Sequence, residues 1–388
     1  MGLFLCPIFR ENMSLMIAIT NCKLYTDNGL AENQTVLLEK GEIKEISTAK
    51  APVGYTTMDA KGQYLVPGGI DLQIYGSGGN LFSAFPTVET LRQMDADLIS
   101  KGTIGFLVCL ATNSMEVFYA AIDAAKAYRA EAKSFLGLHL EGPFLNPKRL
   151  GAHIPEYVHK ATLEEVKALL DHADGTVKMM TLAAELQDEE VIAYLREQGI
   201  VLSLGHSDAN FDQATAAYNK GFTTTTHLFN AMPSIHHRAP NLPVAVFSHP
   251  TAMASIIADG QHVSFEIVKM SYQLLKERLF LITDAVTACN VGPYQHRLQG
   301  DKFTMPDGTL SGSNITLLDA VRNCVNQCGI PLQEAINMAT LHPARVMGLA
   351  GKIGTVEVGK TANLLLLNED LGLEKAFVAG VEHLIVNN

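Results

Sequence analysis

The chain has 388 residues, of which 47% are hydrophobic and 18% are charged, so it has enough apolar sequence to bury a large core. Its formal net charge of −11 argues against a nucleic-acid-binding surface. No apolar run approaches the roughly 20 residues that a membrane helix needs. Six cysteines at irregular positions do not form the pattern of a disulfide framework. We therefore expect a cytoplasmic protein without nucleic-acid or membrane partners.

Both ends of the chain differ in pattern from its centre. Residues 1–15 are apolar but lack a basic leader and a cleavage site, so we expect an upstream extension or a cloning remnant. Residues 16–64 are rich in β patterns, including a predicted hairpin over Gln34–Ile46. The tail, residues 351–388, returns to that pattern. We expect residues 16–64 and 351–388 to form one small β-sandwich domain.

Residues 65–350 alternate between apolar runs of strand length and stretches with helical periodicity. The predicted strands are Tyr64–Tyr75, Thr103–Leu110, Phe135–Glu141, Val177–Leu182, Ile200–His206, Phe222–His227, Ala254–Asp259 and Leu279–Asp284. The predicted helices are Val88–Lys101, Met115–Ala130, Leu163–Ala173, Asp188–Gln198, Ala209–Lys220, Val263–Leu275, Leu317–Gln327 and Leu332–Met347. Strands that alternate with helices form a parallel sheet, and eight such strands predict an α/β fold with a (β/α)₈ barrel of the TIM type.

Side chains able to carry chemistry stand at the carboxyl ends of four of these strands, where barrel enzymes build their active sites. Glu141, His206 and His227 offer one carboxylate and two imidazoles, ligands that suit zinc and other borderline divalent ions. Two histidines and one acid leave an open position for water, as a hydrolytic metal site requires. Asp284 ends another strand, and we expect it to be the general base for that water.

Seven motifs in order give the chain a more specific resemblance. They are Val66-Pro-Gly-Gly-Ile-Asp71, His139-Leu-Glu-Gly-Pro-Phe144, Gly205-His206-Ser207, Thr226-His-Leu-Phe-Asn-Ala-Met-Pro233, Ala258-Asp-Gly-Gln-His262, Thr283-Asp-Ala285 and Gly308-Thr-Leu-Ser-Gly-Ser313. Together they resemble the N-acetylglucosamine-6-phosphate deacetylases, a family of the amidohydrolase superfamily. The resemblance implies hydrolysis of the acetamide of a phosphorylated amino sugar.

The resemblance also implies roles for individual residues. Glu141, His206 and His227 would be the metal ligands, and Asp284 would be the catalytic acid and base. The residues that would hold the sugar phosphate are Asn230, Ala231, Arg238 and His262. The residues that would line the sugar and acyl pocket are Ala152, His153, Leu310, Ser311 and Gly312. We expect a homodimer whose partner molecule is a small phosphorylated amino sugar.

The first predicted barrel strand departs from the superfamily pattern. Many members carry His-x-His at its end and bind two metals, and other deacetylases have a Gln-x-Asn pair there. This chain has Gln73-Ile74-Tyr75, and neither end residue is a good ligand for a divalent ion. We therefore expect one divalent ion per chain, with Zn²⁺ first and Fe²⁺, Co²⁺ or Mn²⁺ as alternatives. The role of Tyr75 stays open.

Several alternatives stay open at the sequence level. Deacetylation of the galactosamine 6-phosphate epimer is the nearest, because a single hydroxyl orientation separates the two sugars. A cyclic-amide hydrolase of the dihydroorotase type would need His-x-His and a bridging lysine. A non-catalytic assembly protein on the same barrel would not need the metal ligands.

Some individual residues also have a plain structural interpretation. His153 and Arg238 fit solvated loop positions as well as substrate contacts. His139 lies two residues from Glu141 on the same strand face and fits a buried supporting group. The run Gly76-Ser77-Gly78-Gly79 resembles a phosphate cradle, but it lacks the lysine and spacing of a P-loop, which favours a flexible loop.

Overall fold

The computed structural model describes residues 16–26 and 28–385, so the extension expected at residues 1–15 lies outside the described residues. The α-helices in this part of the chain are α1 (Val88–Ser100), α2 (Met115–Tyr128), α3 (Leu163–Ala173), α4 (Glu189–Glu197), α5 (Phe211–Asn219), α6 (Leu242–Ser248), α7 (Phe265–Leu275), α8 (Leu317–Asn326), α9 (Leu332–Ala339) and α10 (Leu341–Val346). Short 3₁₀ turns span Pro155–Tyr157, Ala184–Leu186 and Lys276–Arg278. None of the described helices is long and apolar enough to cross a membrane.

The strands belong to an antiparallel and a parallel system. They are β1 (Ile17–Thr26), β2 (Gly29–Glu39), β3 (Glu42–Ser47), β4 (Thr56–Asp59), β5 (Tyr64–Pro67), β6 (Gly69–Ile74), β7 (Gly76–Ser77), β8 (Asn80–Leu81), β9 (Thr103–Ala111), β10 (Phe135–Glu141), β11 (Val177–Leu182), β12 (Val201–Leu204), β13 (Phe222–Thr225), β14 (Ala254–Ile256), β15 (Leu279–Leu281), β16 (Arg297–Gln299), β17 (Lys302–Thr304), β18 (Leu364–Leu367), β19 (Leu373–Val378) and β20 (Val381–His383).

The parallel strands form a curled sheet that carries the helices on its outer face. Six strands follow the order β13-β12-β11-β10-β9-β6, and β14 pairs with β15. Backbone hydrogen bonds join the edges of the two groups, from Leu228 N to Ser255 O at 2.8 Å and from Asp284 N to Gln73 O at 2.9 Å. The predicted α/β fold with a parallel sheet is confirmed, and the carboxyl ends of its strands meet on one side.

Side-chain alternation along the strands separates the helix-facing core from the interior of the curled sheet. On β10, Leu138 and Leu140 pack into the large apolar cluster that contains the helices' buried faces. The intervening residues His139 and Glu141 therefore point to the opposite, inner face. Below them a smaller apolar cluster fills the interior, formed by Ile70, Leu72, Leu107, Met179, Ile257, Phe280, Ile282 and Ala344. His139 and Glu141 thus share the interior of the curled sheet with an apolar cluster.

Both chain ends contribute to one mostly antiparallel sheet, in which β1 and β5 pair in parallel. Its strand order is β20-β19-β18-β5-β1-β2-β3, and β4 pairs in parallel with β1. Residues from both ends share a single apolar cluster, in which Ile19 and Val36 meet Leu364 and Phe377. The hairpin predicted over Gln34–Ile46 is formed by β2 and β3. A two-layer sandwich and the proposed domain boundaries stay predictions.

The structure differs from the predicted elements at several places. The strand predicted over Tyr64–Tyr75 is two strands, because the chain leaves the antiparallel sheet at Gly68, where a Cβ would lie 2.6 Å from that of Ile104. The helix predicted over Leu332–Met347 breaks between α9 and α10, since Pro343 has no N–H and its ring clashes with the preceding helical turn. Helix α6 and the β16–β17 hairpin were not predicted.

Candidate active site

Three buried side chains from neighbouring strand ends converge on one point. Glu141 is the last residue of β10, and His206 and His227 each lie two residues beyond their strands, β12 and β13. The Nε2 of His227 is 2.9 Å from Glu141 Oε1, and the Nε2 of His206 is 3.3 Å from the same oxygen. The two Nε2 atoms are 3.1 Å apart. One carboxylate and two imidazoles thus offer their ligand atoms to a common centre.

The tautomer of His206 suits a metal ion at this centre. Its Nδ1 faces the backbone carbonyl of Arg149 at 2.8 Å, so Nδ1 carries the proton and Nε2 keeps its lone pair. The Nδ1 of His227 is buried without a hydrogen-bond partner among the described residues. The Nε2 of His227 lies close to both Nε2 of His206 and Oε1 of Glu141, so three possible ligand atoms surround one centre. The donor set therefore fits a divalent ion such as zinc.

Backbone conformation aims these side chains into the interior. His206, His227 and Asp284 have positive φ values of 46°, 31° and 54°. Such left-handed conformations cost a non-glycine residue on the order of 1–3 kcal/mol and gather at functional sites. Each occurs where a strand ends, so the chain turns away while the side chain points into the barrel mouth.

A glutamine and a tyrosine at the end of β6 donate hydrogen bonds to the carboxylates of the site. The Nε2 of Gln73 donates to Glu141 Oε1 at 3.0 Å and to Asp284 Oδ1 at 2.7 Å. The hydroxyl of Tyr75 donates to Glu141 Oε2. Burial, together with the nearby negative charge of Glu141, raises the pKa of Asp284 well above its usual range. A carboxyl group with a raised pKa is a stronger proton acceptor than a free aspartate.

His153 approaches the same carboxylate from the loop after β10. Its Nε2 is 3.2 Å from Glu141 Oε2, and its Nδ1 is 2.8 Å from Thr112 Oγ1. Burial, with the proximity of His206, lowers the pKa of His153 to about 4, so the ring is neutral. The backbone N–H of Thr112 also points to Nδ1, at 3.3 Å. The N–H of the ring is therefore on Nε2, which makes His153 a donor toward the centre of the site.

These groups open into a cavity that both polar and apolar side chains line. Most of the residues expected to contact substrate line it, namely Ala152, His153, Asn230, Ala231, His262, Leu310, Ser311 and Gly312. His262 is held at both nitrogens, at 2.6 Å from Asp259 Oδ2 and at 2.8 Å from the backbone carbonyl of Ser311. Gly312 packs so tightly that a Cβ would lie 2.4 Å from the backbone oxygen of Asp284.

Two sequence features lie away from the cavity. Arg238 is exposed, does not line the cavity, and contacts His237 Nε2 at 2.9 Å through its Nη1. In the glycine-rich loop, the backbone N–H of Gly78 already donates to a carboxylate of the chain itself, Asp97 Oδ2, at 2.9 Å. Lys101 pairs with that same oxygen at 2.7 Å. The loop is thus bound internally and is neither a free loop nor an open phosphate cradle.

Sequence reasoning missed several groups at the site. Gln73 and Tyr75 were noted only as poor metal ligands, yet their spacing of two on one strand was a signal that both face the interior. Tyr294 and His296 line the cavity from the segment before β16, where the sequence offers no motif. His139 was not missed: it is buried beside the site, as expected of a supporting group, with Nδ1 at 3.0 Å from Leu72 O and Nε2 at 2.8 Å from Thr181 Oγ1.

The fold and the site together fit a hydrolase, because a possible metal site of one carboxylate and two imidazoles lies at the carboxyl ends of the strands of a curled parallel sheet. The sequence matches the amidohydrolase family over residues 64–383. The chain therefore belongs to the amidohydrolase family.

Known proteins similar to the chain share most of its length. It is 34% identical to the N-acetylglucosamine-6-phosphate deacetylase of Haemophilus influenzae, over 89% of this chain and 94% of that one. It is 30% identical to the N-acetylgalactosamine-6-phosphate deacetylase of Escherichia coli O157:H7, over 92% and 97%. The crystal structure of the N-acetylglucosamine-6-phosphate deacetylase from Pasteurella multocida superposes with a TM-score of 0.90, at 32% identity, covering 94% of this chain and 99% of that one.

Proposed function

We propose that the chain hydrolyses the acetamide of N-acetyl-D-glucosamine 6-phosphate to D-glucosamine 6-phosphate and acetate, in amino-sugar catabolism. The observation that carries the proposal is the convergence of Glu141, His206 and His227 beside Asp284, in one cavity of an amidohydrolase. The similar proteins of Haemophilus influenzae and Pasteurella multocida bear the name of this activity.

Glu141, His206 and His227 would hold one divalent ion, with Zn²⁺ first and Fe²⁺, Co²⁺ or Mn²⁺ as alternatives. When bound, such an ion supplies Lewis acidity and lowers the pKa of water toward about 7. One ion is favoured over two because Gln73, which donates to both carboxylates of the site, is a poor ligand for a second ion. Tyr75, whose phenol donates to the other oxygen of Glu141, is likewise a poor ligand.

Proton transfer is the proposed role of Asp284. Its carboxylate would take a proton from the attacking water and then deliver it to the departing amine, which is otherwise a poor leaving group. Its burial and raised pKa support both steps. His153 would donate from Nε2 to the acetamide oxygen as negative charge develops there. The contact between Thr112 and its Nδ1 supports this orientation.

Substrate contacts are proposed for the cavity wall. Asn230, Ala231 and His262 would hold the sugar phosphate, and the remaining wall would surround the sugar and acyl group, from Ala152, His153, Leu310, Ser311 and Gly312. Arg238 would bind the phosphate from outside the cavity lining. A homodimer is also part of the proposal. Buried free cysteines, such as Cys22 and Cys324, support the proposed reducing cytoplasm.

The epimer N-acetylgalactosamine 6-phosphate is the second candidate substrate. The observation that favours it is the 30% identity to the Escherichia coli deacetylase that is named for this sugar.

A cyclic-amide hydrolase of the dihydroorotase type is disfavoured, since no lysine is among the described residues that line the cavity.

The test is acetate release by zinc-loaded protein from a matched panel of sugars. We expect the highest kcat/KM for N-acetylglucosamine 6-phosphate and a clear loss when the phosphate is absent. The panel includes the galactosamine epimer with and without phosphate. A higher kcat/KM for the epimer would make N-acetylgalactosamine 6-phosphate the preferred substrate. No acetate from any N-acetyl sugar would overturn the proposed function.

A further inference from the structure

His296 is a buried cavity-lining residue for which the proposed chemistry has no use. It precedes β16, is only 6% exposed, and lines the same cavity as Glu141 and Asp284. It is not among the three residues whose atoms converge as metal ligands. Its Nδ1 is buried without a hydrogen-bond partner in the described part of the chain. Buried polar atoms normally have partners, so the orphaned nitrogen calls for an explanation.

The imidazole of His296 is neutral, with its N–H on Nε2. Burial lowers its pKa to about 4, so the ring carries one proton at neutral pH. An unpaired buried N–H is costlier than an unpaired acceptor, which has only a lone pair to leave unsatisfied. The proton therefore resides on Nε2, and the inaccessible Nδ1 is the acceptor. The ring thus has one N–H to offer to the cavity that it lines.

The position of this ring is fixed relative to the catalytic groups. Tyr294 stacks beside it, with ring centroids 6.3 Å apart and planes 16° from parallel. The hydroxyl of Tyr294 donates to the backbone oxygen of Thr112 at 2.6 Å. Thr112 is also the residue that orients His153 through its Oγ1. The backbone oxygen of His296 accepts from Cys289 N at 3.1 Å. His296 is therefore held as a preorganised donor.

The chemistry of the cavity indicates what this donor binds. Leu81, Ala111 and Val286 make much of the surrounding wall apolar, and Ser311 Oγ is a second buried polar atom without a partner in the described residues. A pyranose presents apolar C–H faces together with hydroxyl oxygens at fixed angles. A few fixed donors on an apolar wall are the usual means of recognising such a ligand.

We propose that His296 donates a hydrogen bond from Nε2 to a ring hydroxyl of the bound amino sugar and is a specificity-determining residue. The inference rests on the proposed function, because it concerns the sugar held at that same site. It assigns sugar-hydroxyl recognition to the segment before β16, separate from the groups that perform the chemistry.

The variants His296→Phe and His296→Gln test the proposal. Phenylalanine keeps a flat ring without the donor, while glutamine keeps an N–H donor without the ring. We expect His296→Phe to lower kcat/KM for the preferred phosphorylated sugar roughly 10- to 100-fold, since a sugar hydroxyl is then buried unpaired. His296→Gln should recover much of this loss. Zinc content and Tm should match the unchanged protein in both variants.

Deoxy sugars identify the contact itself. The probes are N-acetylglucosamine 6-phosphate, its 3-deoxy and 4-deoxy analogues, and N-acetylgalactosamine 6-phosphate. We expect the difference between the unchanged protein and His296→Phe to disappear with the analogue that lacks the contacted hydroxyl. The same pattern is expected in calorimetric binding of the corresponding deacetylated products.

Three outcomes would overturn the proposal. Unchanged kcat/KM in His296→Phe, with an active parent protein, would show that the ring makes no contact. Equal losses with every sugar, including both deoxy analogues, would show a general effect on the cavity. Loss of zinc would make His296 part of the metal site. An inactive parent protein on all sugars would instead overturn the proposed function, which separates the two failures.

Discussion

The Nδ1 of His206 donates a 2.8 Å hydrogen bond to the backbone oxygen of Arg149. This contact fixes which nitrogen of the ring is free to bind a metal, and partners of this kind orient ligands in metal sites generally. The loop after β10 thereby prepares a ligand on the strand-end turn after β12. The candidate metal centre is thus supported by backbone groups as well as by side chains.

We expect about one tightly bound divalent ion per chain. Gln73 and Tyr75 occupy with hydrogen bonds the positions from which relatives with two metals would supply histidines. Removing the ion with a chelator should abolish acetate release, and one equivalent of Zn²⁺ should restore it. Elemental analysis of the reloaded protein measures the number of zinc ions per chain. Two tightly held ions per chain would contradict this expectation.

Tyr75→Phe should weaken zinc binding by about 10- to 100-fold, the usual cost of losing a hydrogen bond to a metal ligand. The phenol donates to Glu141 Oε2, and phenylalanine fills the same space without that donor. Competition with a chromogenic chelator measures the affinity. Tyr128→Phe is the matched control, since it removes a buried phenol that bonds to Asp95 instead. If the Tyr75 variant and the control bind zinc with equal affinity, Tyr75 does not support the metal site.

Asp284→Asn should lower kcat by about 10²- to 10⁴-fold while zinc and substrate stay bound. Asparagine keeps the shape and can accept the hydrogen bond from Gln73, but it cannot take a proton from water. The measurements are kcat, zinc content and substrate affinity on one preparation. Loss of zinc together with activity would show that Asp284 is mainly a metal ligand and that the proposed role as general base is wrong. A decrease in kcat of less than about tenfold would show that another residue is the general base, with His153 or His262 as the next candidates.

Arg238→Ala should raise KM for the phosphorylated sugar far more than for the unphosphorylated one, because its proposed partner is the phosphate. Arg129→Ala is the control, since that exposed arginine pairs with Asp174 on another part of the surface. The two KM values are measured with the same protein preparation. Equal changes for both sugars would exclude Arg238 from phosphate binding.

The general position of the site could be predicted from sequence because strand ends are visible as apolar runs that stop at Glu141, His206, His227 and Asp284. Parallel strands bring such ends together whatever the loops do. The contacts of Tyr75 could not be predicted in this way, because they depend on which carboxylate lies opposite across the sheet. The wall around His296 was missed for a related reason, since its segment has no strong periodicity.

Element boundaries failed where a single residue changes the path of the chain. The run Tyr64–Tyr75 is continuous in hydrophobicity, and only the contact at Gly68 separates the two sheets. Pro343 was a visible signal for the break between α9 and α10, but the apolar periodicity on both sides outweighed it. Arg238 lies on an irregular loop, where spacing along the sequence says little about distance from the cavity.

Asp71 provides a prediction about stability and pH. It is fully buried in β6, where its carboxyl accepts hydrogen bonds from Thr283 Oγ1 at 2.5 Å and from Gln73 N at 3.1 Å. Burial, only partly offset by these bonds, raises its pKa from 3.8 to about 6. Between about pH 4 and pH 6 the folded chain therefore holds more protons at this position than the unfolded chain, so the free energy of unfolding falls as the pH rises through that window.

Asp71→Asn should remove this contribution, because the amide keeps a neutral group at all pH values. A shift of about two pKa units corresponds to roughly 3 kcal/mol. Relative to the unchanged protein, the variant should thus gain stability on that order between pH 4 and pH 7. Urea unfolding of both proteins at several pH values measures the difference, in which titration of all other groups cancels. A difference that stays constant, or that favours the unchanged protein as the pH rises, would mean that Asp71 is ionised in the folded chain throughout and that its hydrogen bonds outweigh the cost of burial.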